Sequence, residues 1–159
     1  DRLEGEPVKE IGNHAFSYRM FLKSVRIPDG VISIGEGAFS WCTMLTKMYI
    51  PDSVTNIGSK AFSDCSSLGS VRIPHKVTKL GDFAFSGCKA LKSVLVPPSV
   101  TSIGDWVFDQ CRHTTLYVAP GSYGEQYAKD EKIAYEKETC WEQSCEEPLG
   151  ETSKNRFFP

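Results

Sequence analysis

Apolar positions along this chain recur every 23 residues. Val8, Val31, Val54, Val77 and Val100 form one column, and Ile11, Ile34, Ile57, Leu80 and Ile103 form the next. Gly12, Gly35, Gly58, Gly81 and Gly104 follow. Ala15, Ala38, Ala61, Ala84 and Val107 stand beside Phe16, Phe39, Phe62, Phe85 and Phe108. Cys42, Cys65, Cys88 and Cys111 share a column that starts at Arg19, and Leu22, Leu45, Leu68 and Leu91 share one that ends at Thr114. Pro28, Pro51, Pro74, Pro97 and Pro120 close the units. A unit this short cannot bury its own apolar face, so successive units stack and each column becomes a ladder through a shared core.

The pattern inside one unit predicts its elements. Leu45-x-x-Met48-x-Ile50 has the L-x-x-L-x-L form of a leucine-rich repeat, whose short strand pairs in register with the strands above and below it. Pro51 lacks an N–H and ends that strand. Val54 and Ile57 are expected to bury on the return side in a second short strand, with Gly58 at positive φ in a tight corner. A helical turn is expected from Ser59 to Cys65, burying Ala61, Phe62 and Cys65. The fold class is therefore α/β: a right-handed leucine-rich-repeat solenoid of five 23-residue repeats, with short concave strands and helical turns on the other side.

The ends depart from the period. Arg19 in the Cys column suits an exposed first turn. In the last repeat Thr114 replaces Leu, and Leu116 and Val118 fall one residue early relative to Val94 and Val96, the degeneracy a cap requires. Ser122-Tyr123-Gly124-Glu125 fits a capping box opening a helix from Tyr123 to Glu131. Ile133-Ala134-Tyr135 predicts an edge strand flanked by Lys and Glu that discourage further stacking. The organisation read from sequence is a lead-in at 1–7, the solenoid at 8–120, a helix–strand cap at 121–136 and a polar tail at 137–159.

The motif Val-x-x-Ile-Gly-x-x-Ala-Phe-x-x-Cys-x-x-Leu-x-x-Val-x-Ile-Pro, running through residues 8–120, resembles the BspA-type leucine-rich repeat. The resemblance implies a surface or secreted protein of a host-associated bacterium or a protozoan parasite, with a role in adhesion to host matrix proteins or to other cells. The opening at Asp1, without Met or an apolar leader, predicts a processed or trimmed product.

Composition narrows the function by exclusion. The 159 residues carry 18 basic and 20 acidic side chains, a net charge of −2, which argues against a nucleic-acid-binding role. No apolar run has the roughly 18 residues a membrane-spanning helix needs, so no membrane insertion is expected in this segment. Residues 1–120 hold 13 basic and 11 acidic side chains, whereas residues 121–159 hold 5 and 9.

No constellation of catalytic residues emerges, and no cofactor or metal is expected. Cys42, Cys65, Cys88 and Cys111 share one phase of the repeat and read as a buried thiol ladder. In-register side chains point the same way and fit disulfide geometry poorly. Cys140 and Cys145 lie outside the repeat and are candidates for a local disulfide if the protein is exported. They lack zinc spacing and a nearby His. His14, His75 and His113 share no face. Asp82 and Asp105, each beside a repeated Gly, read as turn residues.

What remains is the solvent face of the L-x-x-L-x-L strands. Its columns read Lys23, Thr46, Gly69, Lys92; Ser24, Lys47, Ser70, Ser93; and Arg26, Tyr49, Arg72, Leu95. This strip has no carboxylate and places Tyr49 among Arg26, Lys47 and Arg72, residue types that favour interfaces. Lys23, Arg26, Lys47, Tyr49, Arg72, Lys92 and Leu95 are therefore the candidate ligand-binding residues. The expected partner is a host or matrix protein or an anionic glycan, bound by a non-catalytic module at the cell surface or in the secreted medium. The alternative is a structural spacer of a larger surface protein, where the cations only keep an exposed sheet soluble. A flat array of Ile32, Thr55, Thr78 and Thr101 is spoiled by Lys79 in the neighbouring column.

Overall fold

The computed structural model describes residues 7–139. Cys140 and Cys145, with the disulfide expected between them, lie outside the described residues, as does Trp141.

Two ladders of parallel strands run along the molecule. The return ladder is β1 (Glu10–Ile11), β3 (Ser33–Ile34), β5 (Asn56–Ile57), β7 (Lys79–Leu80) and β9 (Ser102–Ile103), in that spatial order. The front strands are β2 (Ser24–Arg26), β4 (Lys47–Tyr49), β6 (Ser70–Arg72), β8 (Ser93–Val96), β10 (Thr115–Val118) and β11 (Ala134–Lys137). Pairing follows the 23-residue period, with Ile11 opposite Ile34, Ile34 opposite Ile57 and Val71 opposite Val94. The apolar columns fill the space between the ladders: Val54, Ile57, Ala61, Phe62, Cys65 and Leu68 of one turn are all fully buried. The phenylalanines stack as a spine, with centroids 5.1 Å apart for Phe16–Phe39, 5.4 Å for Phe39–Phe62, 5.3 Å for Phe62–Phe85 and 5.9 Å for Phe85–Phe108.

The segment expected to be a helical turn is a run of linked tight turns instead. Within it, N–H groups alternate between two kinds of partner. Those of Ala61, Ser63 and Cys65 bond three residues back, to Gly58, Lys60 and Phe62. Those of Lys60, Phe62 and Asp64 bond the next turn at Asp82, Ala84 and Ser86, at 2.7–2.8 Å. A helix would direct all of these donors back along its own chain, so the inter-turn ladder and a helix compete and the ladder wins. The switch requires left-handed residues at two phases of the repeat. One column is His14, Gly37, Lys60, Phe83 and Trp106; the other is Tyr18, Trp41, Asp64, Gly87 and Gln110.

Gly58 is not among the residues with positive φ. Its lack of a side chain serves proximity: a Cβ there would lie 2.8 Å from the carbonyl carbon of Gly35, one turn back. The column glycines are spacers between stacked backbones, and the corner is made two residues later.

The solenoid ends in a cap. The last turn is one residue short, so Leu116 pairs with Val94 and Val118 with Val96, and both are buried. Pro120 therefore follows Ala119 in the place of the exposed Pro98, rather than standing in the column of the buried Pro97. Thr114, in the Leu column, is buried but satisfied, its hydroxyl donating to the Leu91 carbonyl at 2.8 Å. Helix α1 (Tyr123–Asp130) replaces the return strand, with Ser122 as N-cap accepting from Glu125 N–H. Glu125 accepts from Gly121 N–H at 2.7 Å, one residue before the position the capping box predicts. Tyr127 closes the phenylalanine spine edge-on, 6.2 Å from Phe108, and β11 pairs with β10 as a sixth front strand.

Candidate functional site

The front strands alternate outward and inward residues, and the outward ones form rows along the ladder. One row runs Ser24, Lys47 and Ser70, Ser93, Thr115, Ala134; the other runs Arg26, Tyr49 and Arg72, Leu95, Tyr117, Glu136. Arg26 lies over the Tyr49 ring, 4.9 Å from its centroid, a cation–π contact between register partners.

The front ladder is divided in the middle of this strip. β2 and β4 form a pair, β6, β8, β10 and β11 form a four-stranded sheet, and no strand pairing joins β4 to β6 among the described residues. At the division lies a groove of about 410 Å³ lined by Arg26, Lys47, Met48, Tyr49, Ser70 and Arg72 among others. It brings together four of the candidate residues: Arg26, Lys47, Tyr49 and Arg72. Lys23, Lys92 and Leu95 do not line it. Lys23 and Lys92 are exposed just before β2 and β8, and Leu95 is half-buried beside Arg72.

The strip is less cationic than its columns suggest. Asp52, from the loop after Pro51, places Oδ1 3.7 Å from an Arg72 Nη and 3.1 Å from Nδ1 of His75. Arg72 is thus paired, with only 23% of its side chain exposed. Glu136 adds a second carboxylate at the cap end of the row. The strand columns alone hide both acids, since Asp52 lies in a loop and β11 lies outside the repeat. Lys47 is exposed and has no ion-pair partner among the described residues, so it is the groove's least compensated charge.

The thiol ladder offers no nucleophile. Cys42, Cys65, Cys88 and Cys111 are buried and free, and each Sγ donates to a Phe carbonyl of the turn before, at 3.2–3.3 Å. Burial, first of all, pushes Cys65 up to about 12 and Cys111 to about 11, and it raises Cys42 and Cys88 as well. Among the described residues, no three His, Cys, Asp or Glu side chains converge on a metal-sized site. No helix among them is long and apolar enough to cross a membrane.

A solenoid of parallel turns with leucine-type columns defines a leucine-rich-repeat protein. More narrowly, residues 8–124 match the BspA type leucine rich repeat region in 6 copies, and the chain belongs to that family. Among solved structures, a leucine rich repeat protein of T. pallidum is 26% identical with a TM-score of 0.67, over 86% of this chain and 82% of that one. A leucine rich cell surface protein of Faecalibacterium prausnitzii A2-165 is 34% identical with a TM-score of 0.54; the match covers 70% of this chain and 36% of that one. Pneumococcal vaccine antigen PcpA, 18% identical, shares the fold with a TM-score of 0.65 over 83% of this chain and 40% of that chain. No curated protein matches the sequence. The family makes the chain a repeat module of the protein-interaction or surface-protein kind.

Proposed function

We propose that the chain is a non-catalytic binding module of a surface or secreted protein, and that the front groove takes an anionic ligand, an acidic protein segment or a sulfated or carboxylated glycan. The observation that carries this reading is the convergence of Arg26, Lys47 and Tyr49 on one groove where the strand ladder is divided. An aromatic ring already engaged with a guanidinium presents a rigid apolar surface, and the exposed Lys47 supplies a charge that a ligand neutralises without breaking an internal pair.

The spacer reading rests on Asp52, which already compensates Arg72 within the groove. Retention on immobilised heparin, an anionic glycan, separates the two. The chain is expected to bind at low salt and elute as ionic strength shortens the Debye length below about 10 Å. Arg26→Glu with Lys47→Glu is expected to abolish retention, and Lys79→Glu with Lys89→Glu to leave most of it. Equal losses from both pairs would leave only general charge attraction, and the spacer reading would stand.

A further inference from the structure

We propose that the N-terminal end of the solenoid is a seat for one further parallel turn of the same 23-residue pattern. This is a second interaction surface, at the end of the solenoid and not on its front, although Val25 and Arg26 line both its cavity and the front groove.

The first observation is a glycine whose identity nothing around it requires among the described residues. At Gly35, Gly58, Gly81 and Gly104 a Cβ would run into the turn before, at 2.6 Å from Asn13 for Gly35 and 2.8 Å from Gly35 for Gly58. At Gly12 a Cβ would meet nothing within 4 Å among the described residues, and its φ is not in the left-handed range. The first turn thus keeps the small residue that stacking demands on a side where, among the described residues, nothing is stacked.

The second observation is the state of the core at that end. Phe39, Phe62 and Phe85 are at most 1% exposed, whereas Phe16, in the same column, is 43% exposed. Val8 is 63% exposed and Phe21 83%. An open apolar cavity of about 440 Å³ is lined by Val8, Ile11, Ala15, Phe16, Leu22 and Val25, the first-turn members of the core columns.

The backbone is set for the same partner. His14 and Tyr18 already hold the left-handed conformations of the interior turns. Inside the molecule, the carbonyls of Glu36, Ala38 and Ser40 accept N–H groups from the turn before. Their first-turn equivalents, Asn13, Ala15 and Ser17, face no earlier turn among the described residues. Arg19 stands in the column whose Cys donates to a Phe carbonyl one turn back, and it is exposed.

A second copy docked head to tail is a poor fit, because α1 and β11 cover the C-terminal end and Tyr127 closes the spine. A turn of the repeat's own chemistry continues the interface already used between every pair of turns.

The test joins a copy of residues 31–53 to the full chain directly ahead of Val8. The extended chain is expected to melt at least about 5 °C higher, the scale on which burying several apolar side chains moves a domain of this size. Gly12→Ala is expected to leave the parent chain's melting temperature level or slightly raised, and to erase most of the gain in the extended chain. Gly58→Ala, a control at an occupied position, is expected to lower both. No gain on extension, or a gain indifferent to Gly12→Ala, would overturn the proposal. So would sedimentation showing the parent chain as a dimer that Phe21→Ser dissociates, since a second copy would then hold this face.

Discussion

Phe62 and Phe85 stack with ring centroids 5.3 Å apart and planes 13° from parallel, though 23 residues separate them in sequence. Each is fully buried, and each touches its counterparts in the turns on both sides. Phe62→Ala therefore opens a cavity shared by three turns and is expected to remove about 3–5 kcal/mol. Urea denaturation followed by near- and far-ultraviolet circular dichroism is expected to show one earlier, coincident transition, because the turns share their core. An unchanged midpoint would contradict the packing of the spine.

The thiols are expected to be silent in the folded protein. Cys88 donates to the Phe62 carbonyl at 3.2 Å and is fully buried, and burial holds its thiol protonated. A thiol reagent at pH 8 is expected to leave Cys42, Cys65, Cys88 and Cys111 unmodified in native protein and to label all four in denaturant, as mapped by peptide mass. Rapid native labelling of Cys88 would show that the turns open far more readily than the ladder allows.

Lys60 holds a left-handed conformation, φ 55°, with its side chain exposed. A Cβ in that region costs about 1–2 kcal/mol, part of which glycine gives back through the entropy of the unfolded chain. Lys60→Gly is expected to stabilise by about 0.5–1 kcal/mol. Asp64, also left-handed at φ 60°, accepts from the Ser63 hydroxyl at 2.8 Å, so Asp64→Gly loses a contact as it relieves the backbone. It is expected to gain less. Thermal melts of the two variants measure the difference, and equal gains would mean that the Ser63 bond contributes nothing.

The cap carries an acid-sensitive contact. Glu125, 4% exposed, binds Lys129 Nζ at 2.8 Å, Gly121 N–H at 2.7 Å and Lys137 Nζ at 3.4 Å. Lys129 first, and then the Gly121 amide, hold its carboxyl at about 2 rather than the ordinary 4.5. The folded form thus binds this proton more weakly than the unfolded chain does. Its contribution is present in full above about pH 4.5 and is lost as pH falls toward 2. Urea midpoints between pH 6 and pH 2.5 are expected to fall more steeply for the native chain than for Glu125→Gln. Parallel profiles would show that other carboxylates govern acid stability.

The stacking was legible from the columns because burial on a fixed period leaves the same residue type at the same phase. The cap was legible from Ser122 and Glu125, whose side chains read locally. The backbone between Ser59 and Cys65 was not, because Ala61, Phe62 and Cys65 bury equally well from a helical turn or from linked tight turns. What decides is the competition of N–H groups for the next turn, and side-chain pattern does not encode it. Lys60 and Trp41 give no hint of positive φ by their chemistry. The outward rows of the front strands were legible residue by residue, but not their interruption. The period runs unchanged through β4 and β6, and Asp52 reaches Arg72 from a loop that the strand columns do not sample.

The most direct test of the binding account is an amide hydrogen-exchange footprint of the full chain with and without heparin at low salt. The account predicts added protection confined to the walls of the groove, at Ser24–Arg26, Lys47–Tyr49 and Ser70–Arg72, and its loss in the Arg26→Glu, Lys47→Glu protein. Protection centred on the return strands Asn56–Ile57 and Lys79–Leu80, or spread evenly over both ladders, would contradict it.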